Sequence, residues 1–150
     1  VILFAVILAG LAYPDGAPWG HAGAPEGDNC TACHWDHAAE VASPRLAIDG
    51  LPDHYAPGVR YELTVRLVDA GPVNGFQLVA SEGAFASVSP TTQSQDNAVR
   101  STAPAGAWRV DWISPAHAAP VHFWLAVNDA NGDASEFGDR ILLREFESRP

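Results

Sequence analysis

The chain has 150 residues, a length that a single domain accounts for. Its 18 acidic and 8 basic side chains give a formal charge of −10, and all 8 basic residues are arginine, a surface that argues against nucleic acid as a partner. No Ser-His-Asp order, phosphate-cradling glycine loop or paired-carboxylate cleft can be recognised, so hydrolytic catalysis has no positive support.

In chain order, residues 1–13 are apolar apart from the Tyr13 hydroxyl, and Val1 to Ala12 have the look of a signal-peptide h-region or the end of a membrane helix. Thirteen residues fall short of the roughly 20 that cross a bilayer core. The sequence has no initiator methionine, and the segment is read as the end of an N-terminal transmembrane anchor that continues upstream. Residues 14–29 form a Pro/Gly-rich linker. Residues 30–43 follow, opening with Cys30-Thr31-Ala32-Cys33-His34, and residues 44–150 make up the remaining unit.

The pentapeptide is C-x-x-C-H, the attachment signature of c-type haem: two thiols add across porphyrin vinyl groups and the adjacent histidine ligates iron. Two intervening residues let one tight turn bring both sulfurs to one porphyrin edge. Cys30 and Cys33 are the only cysteines, so no structural disulfide competes for them, although a local disulfide between the two stays open. Half of a zinc site also stays open, but no second C-x-x-C or H-x3-H follows to complete it. The spacing predicts one haem c held by Cys30 and Cys33 with His34 as proximal ligand. Asp28 and Asn29 stand as caps ahead of a short helix expected over 31–41.

From Pro44 onward the pattern has period two. Val59, Tyr61, Leu63, Val65 and Leu67 alternate with Arg60, Glu62, Thr64 and Arg66; Trp108, Val110 and Trp112 alternate with Arg109 and Asp111. Val121, Phe123, Leu125 and Val127 repeat the pattern, with His122 on the opposite face. Shorter strands are expected at 45–49, 75–81, 84–88, 97–101 and 137–146. With turn signals at Pro57-Gly58, Asn74-Gly75 and Asn131-Gly132, about eight strands read as an antiparallel β-sandwich.

The strands DHYAPGVRYELTVRL, NGFQLVASEGAF, WRVDWISPA and VHFWLAVNDANGDASEFGD resemble the Reeler-like bacterial domain that accompanies a C-x-x-C-H segment in envelope proteins. The Gly-Ala-Pro-rich lead of that family is matched by Gly23-Ala24-Pro25-Glu26-Gly27, and the resemblance covers about residues 25–147. It implies an immunoglobulin-like sandwich on the envelope side of the cell and implies little about a reaction, because a fold does not fix a function. Some relatives carry a histidine shortly before the W-x-x-x-W strand; this chain has Arg100-Ser101-Thr102 there, so no axial role is carried over to that position.

The sixth ligand of the iron is open. The chain has no methionine, which excludes the usual thioether. His37, three residues from His34, would share its side of the porphyrin on a helix. His54, before the Pro57-Gly58 turn, is the first candidate, followed by His21 on the lead and His117 after Ser114-Pro115-Ala116; His122 is a further histidine. Each has an ordinary surface or hydrogen-bonded role as its alternative. Trp35 and Tyr55 are candidates to cover the porphyrin. The stretch from Asp129 to Glu136 opens D-x-N-x-D like a calcium loop, but Ala134 replaces the loop glycine and Arg140 the closing glutamate, which favours a solvated hairpin loop.

These features point to a membrane-anchored monohaem c-type cytochrome, an accessory electron-transfer subunit of a cell-envelope complex on the periplasmic side of the bacterial inner membrane. Other subunits, and a basic redox carrier docking on the acidic surface, are the expected partners. The alternative is a structural or assembly subunit whose haem is stabilising or absent. An enzyme or gas sensor with five-coordinate haem comes third.

Overall fold

Alternation of apolar and polar side chains decides which face of each strand turns inward, and it does so over most of the chain. The computed structural model describes residues 16–150; the anchor expected at 1–13 lies outside them. Ten strands are described: β1 (Glu40–Val41), β2 (Leu46–Asp49), β3 (Arg60–Leu67), β4 (Val73–Ala80), β5 (Ala84–Ser87), β6 (Thr92–Gln95), β7 (Ala98–Ser101), β8 (Ala107–Ile113), β9 (Val121–Ala130) and β10 (Arg140–Ser148). One sheet has the order β1-β10-β9-β4-β7-β6 and the other β2-β3-β8-β5. All the pairings are antiparallel except that of β1 with β10. The expected β-sandwich is therefore present, with two sheets burying their inner faces against each other.

Leu63, Val65 and Leu67 of β3, Trp108, Val110 and Trp112 of β8, and Val121, Phe123, Leu125 and Val127 of β9 are all buried in one core. Trp112 is its centre. Its ring meets Tyr55 edge-on at 5.5 Å, stacks on Tyr61 at 5.7 Å and meets Phe123 edge-on at 4.9 Å. Its Nε1 donates to the Glu82 carbonyl at 3.2 Å. Gly83 beside it has φ of +86°, and a Cβ there would come within 2.6 Å of that indole nitrogen, so the turn needs glycine.

Two local expectations are corrected and one strand is added. Asn74-Gly75 is not a turn but lies inside β4, where the Asn74 side chain bonds the Gly71 carbonyl and the Ala105 N–H; a Cβ on Gly75 would press on Ser101 Oγ at 2.9 Å. Strand β6, Thr-Gln-Ser-Gln, was not foreseen because a short polar edge strand carries no apolar alternation. The helix expected over 31–41 is replaced by a single 3-10 turn, Cys30–Ala32, and by β1, which pairs with the β10 edge through Glu40 opposite Leu142 and Val41 opposite Leu143. An isolated segment of that length gains little from helix formation, and contacts to the sheet decide its path. Among the described residues no helix is long and apolar enough to cross a membrane.

The larger sheet is covered on its outer face as well. Val41, Leu143, Ala126, Gln77, Arg100 and Gln93 form one cross-strand row running over all six strands. The lead crosses along this row. Arg100 donates to the Ala17 carbonyl, Gln77 donates to the Pro18 carbonyl, the His21 N–H donates to Gln77 Oε1 at 2.8 Å, and Gly23 lies against the Leu143 side chain. The Arg100 guanidinium also sits 4.5 Å above the Trp19 ring. Residues 17–23 thus lie as a strap against the sandwich.

Replacing Trp112 with alanine is expected to cost about 3–5 kcal/mol, the range for truncating a buried aromatic ring. Urea unfolding followed by circular dichroism measures it; a loss under about 1 kcal/mol would show that the core is not centred on this ring.

Candidate functional site

Asn29 caps the turn that carries the motif: its Oδ1 accepts from the Thr31 N–H at 2.9 Å. The N–H groups of Cys33 and His34 both donate to the Cys30 carbonyl, at 3.3 and 3.0 Å, so the chain closes tightly around the two cysteines. Both are free thiols; Cys33 is exposed and Cys30 partly so. Although the Cys30 residue keeps some surface in water, desolvation of its thiol pushes its pKa up to about 12; a backbone hydrogen bond at Cys30 opposes the rise and the Cys33 sulfur adds to it. The exposed thiol is thus the reactive one at neutral pH.

The turn rests on a second outer-face row, Gly75, Asn128 and Ile141. There His34 reaches residues that no sequence spacing pointed to. Its Nδ1 lies 2.7 Å from Asp139 Oδ2, and its Nε2 lies 3.2 Å from Asn128 Nδ2; the same Nδ2 donates to Asp139 Oδ2 at 3.4 Å. The Nδ1 contact is close but off the hydrogen-bond line, so Nδ1, like Asn128 Oδ1, is left without a well-formed bond. A buried polar atom in that state costs about 1–3 kcal/mol. Of the three such side-chain atoms among the described residues, two are here and the third is Arg45 Nη1.

The segment is tied down on its far side too. The Gly138 N–H donates to Asp36 Oδ2 at 2.6 Å, and Trp35 meets Phe137 edge-on at 5.3 Å. Trp35 is 63% exposed and Phe137 46%, an apolar surface beside the motif. Asp129 to Glu136 belong to the end of β9 and the β9–β10 loop. The two aspartates are engaged within the protein: Asp129 accepts from Arg45 and the Gly71 N–H, each at 2.7 Å, and hydrogen bonds from Ser135, side chain first and backbone second, hold the Asp133 carboxyl below its ordinary range. Among the described residues no group of three or more His, Cys, Asp or Glu converges as a metal site.

The other histidines lie elsewhere. His54, the first distal candidate, bridges to Arg149 past the end of β10, while Asp139 precedes its start. Ten residues of extended chain separate them by about 30 Å, so His54 lies at the opposite end of β10 from His34. Tyr55 is buried at that same end and bonds the carbonyls of His117 and Ala119, which removes both His117 and the Tyr55 ring from the motif. His122 stacks on Trp124 and bonds Glu145 at 2.8 Å, six residues along β9 from Asn128 and about 20 Å away. His37 is exposed beside Asp36. His21 alone of the ranked distal candidates shares the outer-face layer with the motif, joined to it by the Ala22–Asn29 bridge, and its Nδ1 faces the Pro18 and Trp19 carbonyls.

No family model matches the chain, and no curated protein matches it. Solved structures do. The Reelin-N domain of F-spondin superposes with a TM-score of 0.60 at 19% identity, over 79% of this chain and 95% of that domain. The human F-spondin reeler domain (fragment 1) gives 0.58 at 20% identity, over 73% and 91%. The chain therefore has a reeler-like β-sandwich fold, and at these identities the likeness concerns the fold alone.

In the folded, haem-free protein kept reduced at pH 8, Cys33 is expected to react with iodoacetamide faster than Cys30 by on the order of a hundredfold, because the thiolate is the nucleophile. Peptide mass spectrometry against time reads both sites. Equal rates in the native protein would show that the two thiols share one environment.

Proposed function

We propose that this chain is a monohaem c-type cytochrome with a reeler-like sandwich, acting as a membrane-anchored accessory electron-transfer subunit of a cell-envelope complex on the periplasmic side. The observation that carries this reading is the setting of the motif. The only two cysteines stand free in one capped turn, and the next residue is a histidine braced by a buried carboxylate. A haem bound there exchanges single electrons.

The residues fit such a group. Cys30 and Cys33 would hold it as thioethers. His34 would ligate through Nε2, whose lone pair the Asn128 amide now caps at 3.2 Å; this contact must open first. Trp35 and Phe137 offer apolar surface on which a porphyrin edge can exclude water. With His54, His117 and His122 away from the motif, His21, His37, a partner subunit or water would be left for the sixth position. The acidic balance suits a basic redox partner.

The protein purified from its native membrane is expected to keep its haem through denaturing electrophoresis and acid-acetone extraction, and to lose it when Cys30 and Cys33 are both changed to serine. A haem-free mature protein would leave the structural or assembly role. Substituting His54 with alanine is expected to leave the visible spectrum unchanged; conversion to high spin would overturn its placement at the far end. If 1–13 ends a membrane anchor, sodium carbonate should leave the chain in the membrane pellet, and release by salt alone would mark it as peripheral.

A further inference from the structure

Asp139 is a buried carboxylate with 1% of its side chain exposed, and its partners differ from those of the other buried aspartates. Asp111 is paired with Arg60 at 2.8 Å and Asp129 with Arg45 at 2.7 Å. Arg140, next to Asp139, turns instead to Glu40 at 3.2 Å. Among the described residues His34 is the one basic side chain within ion-pair distance of Asp139. The other oxygen of Asp139, Oδ1, is held by the Asn131 N–H at 3.1 Å, which fixes the carboxylate in place.

This arrangement determines the tautomer of His34. An ionised carboxylate only accepts, so the Asn128 amide must present Nδ2 to Asp139, as it does. That same Nδ2 faces His34 Nε2, which must then accept as well. The ring proton is left on Nδ1, 2.7 Å from the Asp139 carboxylate though off the line of a hydrogen bond, and Nε2 keeps its lone pair. Carboxylate-bound histidines of this kind are oriented and made more basic as metal ligands.

We infer that Asp139, a residue of the sandwich, is the positioning residue of the motif histidine: it holds His34 in the Nδ1–H tautomer, presents Nε2 as the ligand, and enriches the ring in electrons. The first part stands on the geometry of the protein alone; the consequence for a bound haem, a lowered reduction potential, rests on the reading above. The sandwich is then part of the redox centre as well as its support.

The test is Asp139→Asn, which keeps the shape and can still accept from the Asn131 N–H but turns an amide N–H toward His34. In the haem-free Cys30→Ser/Cys33→Ser protein, nitrogen-15 NMR of the histidine rings should show His34 as the Nδ1–H tautomer. Adding Asp139→Asn should move it toward Nε2–H, while Asp139→Glu should restore the first form. In haem-loaded protein the Asp139→Asn change should raise the reduction potential and lower the Fe–His stretching frequency of any five-coordinate ferrous form. A tautomer that does not respond to Asp139→Asn in a folded protein, judged by an otherwise preserved amide spectrum, overturns the inference. A tautomer that responds in a mature chain carrying no haem supports the positioning role and overturns the haem reading.

Discussion

Strand β9 sits inside the six-stranded sheet and at its middle, around Ala126, is buried on both faces, and this local double burial governs how the lead is arranged. Inward, Phe123, Leu125 and Val127 meet the smaller sheet. Outward, Ala126 is fully buried as well, and Asn128 is part-buried. A sandwich with one solvated outer face needs no cover; this one has small or polar side chains there, with Gly75 beside Asn128 and Gln77 beside Ala126, leaving room for a second layer of backbone. The strap and the motif turn are that layer. The carbonyls and N–H groups of the strap find partners in side chains of the row beneath, which is how irregular backbone can be buried without losing its hydrogen bonds.

The two rows divide the work. The first, around Gln77 and Arg100, holds residues 17–23 through carbonyl contacts and the Trp19 stack, and its bonds are satisfied. The second, around Asn128, is less complete, with two orphaned atoms and a histidine shared between a carboxylate and an amide. The two orphaned atoms therefore lie one in the motif and one in the row beneath it, beside a strap whose polar contacts are met.

Much of the sandwich was legible because the strands that matter are half-buried and announce themselves by period two: Tyr61 to Leu67, Trp108 to Trp112 and Val121 to Val127 are each visible without coordinates. The polar edge strand at 92–95 and the two-residue pairing at 40–41 carry no such signal. The helix expected from Thr31 onward illustrates the opposite error. Its alanines suit a helix, but Asp36 and His34 reach the β9–β10 loop and Glu40 joins the β10 edge, so long-range bonds override local preference.

The site divides along the same line. The proposed haem attachment at Cys30, Cys33 and His34 comes from the sequence alone, because thioether attachment would require both sulfurs and the imidazole within one turn, a constraint that five consecutive residues satisfy. His54 was ranked by its place beside a turn, yet chain position carries no information about which end of a sandwich a loop occupies; the length of β10 sets that distance. Asp139 and Asn128 stand 105 and 94 residues from His34 and belong to a different element. Only the register of β9 against β10, fixed by burial of Val127 and Leu142 on the inner face, brings a carboxylate and an amide onto the imidazole.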